Sequence, residues 1–374
     1  MNGEDQLLRI SALHTHLPAV ASEVEKLLQW DGEGPGEALR RVVDGGEGCG
    51  SAEARRRARE LLREHAPVRI RESASQRGLH LVFRASPEYP KRLRPLDGAP
   101  PVLYVRGRLP GPDLPSIAVV GSRAATQTGR HAAQTLAGSA ACRGEVVVSG
   151  MAFGVDDAAH RGALAVGGTT VAVLASGADL PSPHSQIHLY RRIVAGGGAV
   201  LSQFLPGAPA RPYRFPIRNW LIAALSDRVL VVEARDRSGA LHTVDHAQSI
   251  GIPVLAYPGD GLSQATRGSN RLIQDGAEVV LGPEDLVSEG QFSIPFSGTS
   301  IESMPATGTL ESGEHQKSAM LAHALADGPL PVDLLAGRLE LGISGLRGAL
   351  SRLERIGLVK VEGGFARWSQ ARWR

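Results

Sequence analysis

The chain has 374 residues, which is too long for one small domain and predicts two or three domains. Hydrophobic residues make up 42% of it, enough for a buried core, and the net charge of +3 is only weak evidence for a polyanionic partner. Two cysteines, Cys49 and Cys142, exclude a disulfide framework and a cysteine zinc site. With no apolar run near the ~18 residues of a membrane span and no signal-peptide pattern, we expect a soluble, cytoplasmic protein.

The first hundred residues divide into two patterns. Residues 1–75 carry apolar residues at three- to four-residue spacing, interrupted by a glycine-rich break, and this predicts a small helical domain. Residues 79–105 contain short strand-like pieces separated by prolines. We expect this second segment to pack on the domain that follows it.

The central part of the chain, from Ile117 to about Leu281, alternates between apolar and helical segments. Strands are predicted at IAVV, EVVV, TVAVLA, AVLSQF, RVLVVEA, PVLAYPG and EVVL. Helices are predicted between them at 124–141, 155–166, 185–195, 217–225, 240–250 and 269–275. Continuously apolar strands separated by helices are typical of a parallel sheet covered on both faces. Residues 79–287 are therefore predicted to form a Rossmann-like, doubly wound α/β domain.

The end of the chain changes character twice. Residues 288–316 lose periodicity and are rich in Ser, Gly, Thr and Glu, which predicts a flexible linker. Residues 317–374 then show three helical segments followed by two strands around Gly363-Gly364. This order predicts a winged-helix domain. The sequence leaves two functions open for this domain, DNA binding and contact with another protein.

Two glycine-broken strand ends suggest an anion site. Gly121, Ser122 and Arg123 follow the first parallel strand, and Ser149 and Gly150 follow the second. Both loops precede helices, whose free N–H groups and dipole favour negative charge. The guanidinium of Arg123 adds donors suited to phosphate. We therefore expect the two loops to form one phosphate-binding site.

A third polar cluster lies in the stretch RPYRFPIRNW. Arg211, Arg214 and Arg218 flank Phe215 and Asn219, and basic residues beside an aromatic ring suit single-stranded nucleic acid. A core position for Phe215 is the alternative. The G-x-G-x-x-G fingerprint and the Walker A sequence are both absent, so no nucleotide cofactor is expected.

The sequence contains no clear set of catalytic residues. Asp156, Asp157 and His160 fall on one predicted helix, but capping of the helix N-terminus accounts for Asp156. Glu233 lies at the end of a predicted strand, but one carboxylate by itself does not make a catalytic mechanism. No Ser-His-Asp set and no metal set can be built, so we expect a non-catalytic protein with no metal site.

Several motifs resemble one family. VVGSRAATQTG, VVSGMAFGVDDAAHRGAL, FPIRNWLIAALSDRVLVVEARDRSGALHT and the later YPGDG and GSNRLIQDGA are similar, in this order, to the DNA-processing protein family DprA, also called Smf. The resemblance covers about residues 79–282. The N-terminal helices are more loosely similar to a SAM-like or helix-hairpin-helix-like accessory domain, and the C-terminal part to the family's winged helix.

The resemblance implies a function. Members of this family bind single-stranded DNA in the cytoplasm, protect incoming DNA, load the RecA recombinase during natural transformation, and act as homodimers. By motif, the implied phosphate pocket comprises Gly121, Ser122, Arg123, Ser149, Gly150 and Gly154. The implied aromatic-basic stretch comprises Phe215, Arg218 and Asn219, with Arg214 beside it. Further signature positions are Gly239, Gly268 and Asn270.

The chain departs from the family pattern at four places. In the N-terminal region THLPAV stands where a glycine-rich hairpin would be expected, which argues against a helix-hairpin-helix contact with DNA there. Arg218-Asn219-Trp220 stands where the family commonly has Arg-Asn-Arg, Ser182-Pro183 where it has Tyr-Pro, and Ser202-Gln203 where it often has Ser-Glu. These changes leave the predicted fold intact and could alter the affinity for a strand or the choice of partner.

Two other functions stay open at this point. One is a nucleotide-binding sensor on the same fold. The other is a nucleotide hydrolase of the lysine-decarboxylase-like group, which carries a PGGxGT loop. The corresponding region here reads YPGDGLSQATRG and lacks that loop.

Overall fold

A computed structural model describes residues 3–22, 24, 34–45, 51–286, 330–331, 350, 359–362 and 365–368. The chain forms two compact units, Met1–Phe292 and Ser293–Arg374. The predicted N-terminal helices and the predicted α/β domain therefore belong to the same compact unit. The linker predicted at 288–316 lies outside the described residues.

The first unit is built on one large sheet. Its strands are β1 (His80–Phe83), β2 (Val102–Gly107), β3 (Ser116–Val120), β4 (Val146–Ser149), β5 (Thr170–Val173), β6 (Ala199–Ser202), β7 (Arg228–Val231), β8 (Val254–Ala256) and β9 (Glu278–Val279). They lie in the order β1-β2-β6-β5-β4-β3-β7-β8-β9. Strands β3 to β9 pair in parallel, which confirms the predicted parallel sheet. The two lead-in strands extend it in antiparallel fashion, β1 on β2 and β2 on β6.

Helices surround the sheet. They are α1 (Gly3–His16), α2 (Pro35–Arg40), α3 (Ala52–Glu64), α4 (Pro67–Gln76), α5 (Gln127–Cys142), α6 (Val155–Ala165), α7 (Ile187–Ala195), α8 (Arg214–Ala224), α9 (Leu241–Ser249) and α10 (Arg267–Gln274). The six helices from α5 onward fall within a few residues of their predicted bounds. Thr126 caps α5, because its hydroxyl accepts a 3.0 Å hydrogen bond from the N–H of Gly129.

Both faces of the sheet are covered, as in doubly wound folds. Alternate residues of β3 point to opposite faces, since side chains alternate along a strand. Ala118 and Val120 share a core cluster with residues of α8 and α9, whereas Ile117 and Val119 share one with α5 and α6. Every residue of β3, β4, β5 and β6 is buried. The Rossmann-like prediction is confirmed on these grounds.

The strand order reverses beside β3. The chain runs outward from β3 to β6 and then returns, so that β7 pairs with the free side of β3, Val120 opposite Val231. The loops that follow β3 and β7 therefore lie next to each other, although their helices cover opposite faces. This is the switch point at which open α/β sheets form a ligand crevice.

The N-terminal helices pack on the sheet through α1. Leu8 and Ala12 share a buried cluster with Tyr104 of β2, and the Ser11 hydroxyl lies 3.0 Å from the Tyr104 hydroxyl. The N–H of Leu205 donates to the hydroxyl of Thr15 over 3.0 Å. Helix α1 therefore connects the small N-terminal helical part to the sheet through buried contacts.

The second unit is described in its strands. β10 (Leu330–Pro331), β11 (Val359–Glu362) and β12 (Phe365–Trp368) form an antiparallel sheet in the order β10-β12-β11. Glu362 pairs with Phe365. The predicted Gly363-Gly364 turn lies outside the described residues. The second helix was expected to begin at Pro331, which instead ends a strand. The three predicted helices lie almost wholly outside the described residues, and the winged helix stays a prediction.

Within the described ranges, no helix is long and apolar enough to cross a membrane. The same part of the chain holds no group of three or more His, Cys, Asp or Glu side chains that could bind a metal ion.

Candidate functional site

A cleft of about 610 Å³ opens at the carboxyl ends of β3, β4 and β7, at the switch point. The loops after these strands line it from below, and α8 and α9 line it from the side. The residues that line it include one aromatic residue, Phe215, and the polar and glycine residues Gly121, Ser122, Arg123, Asp156, Arg218, Asn219, Arg235, Ser238 and Gly239. Seven of the thirteen predicted site residues are therefore brought together in one cleft.

The loop after β3 is held tightly against its neighbours. A Cβ on Gly121 would lie 2.6 Å from a methyl group of Val155 and 2.8 Å from the carbonyl oxygen of Glu233, so only glycine fits. The N–H of Ser122 donates to that same carbonyl over 2.6 Å. The Ser122 hydroxyl accepts from the N–H of Ala124 over 3.2 Å. The Ser122 N–H is therefore used within the fold and is not available to an anion.

Arg123 projects from this loop into the cleft. Its side chain is exposed, and its guanidinium carbon lies 4.8 Å from the centre of the Phe215 ring. Among the described residues it makes no hydrogen bond and no ion pair. The guanidinium is thus oriented by an aromatic face while its N–H donors stay available to a ligand.

Arg218 plays a different part from Arg123, although both line the cleft. It is only 4% exposed, and its Nη1 donates to the carbonyl of Val173 over 3.2 Å. A Cβ on Gly150 would lie 1.4 Å from that nitrogen. The glycine in the loop after β4 therefore makes room for Arg218.

Asp156 is the counter-ion of this buried guanidinium. Its carboxylate accepts hydrogen bonds from the N–H groups of Gly150, over 3.2 Å, and Ala152, over 3.3 Å. Burial raises the pKa of Asp156, and Arg218 and these hydrogen bonds oppose the rise. Burial also lowers the pKa of Arg218 to about 10, so it stays charged at neutral pH. Asp156 thus binds the loop before its helix, whereas we expected it to cap the helix.

Ser149 and Gly154 shape the site without facing it. Ser149 is fully buried, and its hydroxyl donates to the carbonyl of Val119 over 2.7 Å, joining β4 to β3. Gly154 has φ of +81°, and a Cβ there would lie 2.1 Å from the carbonyl oxygen of Ser122. The two predicted anion loops are therefore in contact. Ser149 and Gly154 hold the loops together and do not face a ligand.

Phe215 and Asn219 lie on α8, one turn apart on one face. Phe215 is half-buried beneath Arg123 and has the Arg218 guanidinium 5.7 Å from its ring centre. The Asn219 amide donates to the carbonyl of Gly239 over 3.0 Å, tying α8 to the loop before α9. The predicted aromatic-basic cluster is therefore part of the cleft wall.

Arg214 does not join that cluster. It is 3% exposed, and its two terminal nitrogens donate to the carbonyls of Pro209 and Thr15, each over 2.6 Å. Its guanidinium also lies 4.9 Å from the ring centre of Phe204. Arg214 thus fastens the end of α1 to the start of α8.

Gly268 and Asn270 support a neighbouring loop. The N–H of Gly268 donates to the carbonyl of Ala234 over 2.8 Å. The Asn270 amide pairs with both backbone groups of Gly259, accepting over 3.0 Å and donating over 3.0 Å. These two residues position the loops after β7 and β8 and do not line the cleft.

Sequence reasoning missed Arg235. It follows β7 across the switch point from Arg123, is exposed, lines the cleft, and has no side-chain hydrogen bond or ion pair within the described part of the chain. The signal was present, because an arginine follows an apolar strand in VLVVEARD as it does in IAVVGSR. Only the strand order shows that the two loops are neighbours.

Two titratable groups near the cleft are engaged in the fold. Glu233 is 1% exposed and accepts hydrogen bonds from the N–H and hydroxyl of Thr126, the latter over 2.6 Å. His160 is fully buried with its Nδ1 2.7 Å from the Thr170 hydroxyl, and burial lowers its pKa to about 3. Neither group is placed to exchange protons with a ligand in the cleft.

The fold and the cleft define an open-sheet α/β protein of the Rossmann type, with a cationic ligand cleft at its switch point. Residues 80–291 match the model of a family described as DNA recombination-mediator protein A. The chain belongs to this family, which confirms the resemblance to DprA and Smf.

Individual relatives support the assignment of the chain to this family. Protein Smf of Escherichia coli K12 is 34% identical over 297 residues, which are 78% of each chain. The DNA processing protein DprA of Streptococcus pneumoniae is 38% identical over 205 residues, 54% of this chain and 72% of the relative. The X-ray structure of DNA processing protein A from S. pneumoniae superposes with a TM-score of 0.63 at 29% identity, covering 77% of this chain and 98% of that one.

Proposed function

We propose that the cleft binds single-stranded DNA. The observation that carries this proposal is the exposed guanidinium of Arg123 stacked 4.8 Å above the half-buried ring of Phe215. A cation for the backbone beside an aromatic face for a base is the combination that single-strand binding uses. A base that stacks here must be unpaired, so the arrangement favours single strands over duplex.

The structure supports a division of labour among the site residues. Arg123 and Arg235 contact phosphates, and a base or its sugar packs against the Arg123–Phe215 pair. Arg218 contributes a fixed positive charge from the floor of the cleft. The residues that give the cleft its shape are Gly121, Ser122, Ser149, Gly150, Gly154, Asn219 and Gly239. Arg214, Gly268 and Asn270 stabilise the surrounding loops.

The family description extends the proposal to recombination. We infer that the protein is a non-catalytic mediator that protects incoming strands and loads RecA onto them during natural transformation. Supporting a non-catalytic role, Asp156, His160 and Glu233 are each held by the fold. A nucleotide hydrolase needs such a group free to act on its ligand, so we do not favour that alternative. Addition of the protein should speed RecA filament formation on single strands, measured by the recombinase's strand-dependent ATPase.

The direct test uses Arg123→Glu and fluorescence-anisotropy titration with oligo-dT. We expect affinity to fall about tenfold or more near 0.15 M salt, since a phosphate contact becomes a repulsion. Arg191→Glu, an exposed site on α7 outside the cleft, makes the same charge change and should bind like the wild type. Equal affinity of the wild type and Arg123→Glu would contradict the proposal.

A further inference from the structure

A second groove lies in the N-terminal helical part, away from the cleft. Helices α1, α2 and α3 enclose about 330 Å³, and four arginines line this space: Arg9 from α1, Arg40 from α2, and Arg59 and Arg63 from α3. Its apolar floor comes from Leu39, Val43 and Leu62. We call it the arginine groove.

The arginine groove carries a concentrated positive charge. Among the described residues, none of the four arginines forms an ion pair. Arg40 donates through Nε to the carbonyl of Gly36 over 3.2 Å, and the Nε of Arg9 is buried without a partner in the same described set. Asp44 is the one carboxylate among the described lining residues and is not within ion-pairing distance of the arginines.

Two other arginines of α3 differ from the groove arginines, because they are paired with carboxylates of the same helix. Arg56 pairs with Glu53 at 3.0 Å and with Glu60 at 3.8 Å, and Arg57 pairs with Glu53 at 3.5 Å. On the side that lines the groove, Arg59 and Arg63 are four residues apart, and the nearby Glu60 pairs with Arg56 and not with them. Like charges at this spacing repel, so the groove side carries a cost that a bound anion removes.

The chemistry of the lining identifies the anion. The described lining residues include no aromatic ring on which a base could stack. Guanidinium groups match phosphate oxygens in geometry and charge. The groove therefore recognises phosphates and not bases.

We propose that the arginine groove binds phosphates of the DNA backbone, on the same single strand that occupies the cleft. This inference rests on the proposed function of the cleft. The two sites belong to one compact unit and are joined through α1. Thr15 at the end of α1 accepts the hydrogen bond from Arg214, one turn before Arg218 of the cleft. Arg9 lies about 9 Å along α1 from Thr15, at 1.5 Å per residue. A strand that leaves the cleft along this helix reaches the groove.

The test compares two double variants of α3 in the full chain. Arg59→Ala with Arg63→Ala removes charge from the groove lining, and Arg56→Ala with Arg57→Ala removes the same charge from two ion-paired arginines that do not line it. Both sites are exposed on a helix, so both variants should keep the thermal midpoint of the wild type within a few degrees. Anisotropy titrations use oligo-dT of about 10 and about 40 nucleotides, because a short strand fills the cleft alone.

For the long strand, the groove variant should bind about tenfold more weakly than the control. Its salt dependence, the slope of log K against log salt, should fall in magnitude by roughly 1.4, for two lost contacts at ~0.7 each. The short strand should bind all three proteins alike. Arg123→Glu serves as the separate test of the cleft, since it should weaken both strands.

Two outcomes would overturn the inference. Equal affinity of both double variants for the long strand, with Arg123→Glu still impaired, would refute the groove and leave the cleft standing. The second outcome is that tripolyphosphate or orthophosphate raises the thermal midpoint of the wild type but not of the groove variant. If strand binding were unchanged, that result would assign the groove to a small free anion.

Discussion

At the scale of single residues, the cleft depends on glycines whose missing side chains leave space for neighbouring groups. Gly150 has no side chain, and the Nη1 of Arg218 occupies the space where a Cβ would lie, 1.4 Å away. The guanidinium can move only by giving up its hydrogen bond to Val173 and its proximity to Asp156. Buried charges that lose their partners are costly.

Gly150→Ala should therefore lower the free energy of unfolding by about 1–3 kcal/mol, the usual range for overpacking. Urea unfolding measures it. Gly239→Ala is the matched control in the same cleft, because a Cβ there meets nothing within 4 Å. Equal unfolding free energies for these two variants would show that Arg218 moves aside without loss.

At the scale of elements, α6 is joined to β5 by a buried polar pair. The Thr170 hydroxyl donates to the carbonyl of Val147 over 2.7 Å, so the Nδ1–H of His160 donates to the Thr170 oxygen. The Nε2 of His160 is buried without a partner in the described residues. The folded state holds this imidazole neutral, and burial lowers its pKa to about 3.

This pair predicts a pH dependence of stability. The unfolded chain protonates His160 near its ordinary pKa of about 6.5, whereas the folded chain does not until about pH 3. Stability is complete above the higher value and falls as pH drops, by about 1.4 kcal/mol per pH unit from this one group. His160→Asn keeps a donor for Thr170 but cannot titrate.

Urea unfolding between about pH 6.5 and pH 5 should show a shallower pH dependence for His160→Asn, by about one proton. The variant is expected to be less stable at pH 7 because the ring leaves a cavity. Comparing slopes and not absolute stabilities separates the two effects. Parallel slopes for the variant and the wild type would contradict this, because they would mean that His160 takes up its proton as readily in the folded protein as in the unfolded chain.

At the scale of the whole molecule, the open edge of the sheet is a candidate for self-association. Among the described residues, strand β9 pairs only with β8, and Val279 of β9 and Leu281 just after it are 39% and 68% exposed. Exposed edge strands with apolar side chains readily pair with another chain. We propose that this edge forms the homodimer that the family resemblance implies.

Leu281→Asp should shift the protein towards monomer in sedimentation equilibrium, because it introduces a charge into an apolar interface. Val68→Asp on α4 is the control, since Val68 is similarly exposed, at 64%, but lies far from β9 in the chain. A wild type that is monomeric throughout, or a Leu281→Asp variant with an unchanged dimer, would refute this edge as the interface.

The sequence by itself determined the alternation of strands and helices, the glycines of the two loops, and the family. These features depend on periodicity and on short motifs, which act over a few residues. The sequence also predicted Arg123 and Phe215 as binding residues, because each lies in a characteristic local pattern.

Only the tertiary structure decided which polar residues meet. Arg214 and Arg218 are one helical turn apart, yet one holds α1 and the other lies under the cleft. Arg235 joins Arg123 because the strand order reverses beside β3. The arginine groove gathers residues from three helices. Convergence of this kind depends on how elements pack, and local periodicity carries no information about which distant loops and faces become neighbours.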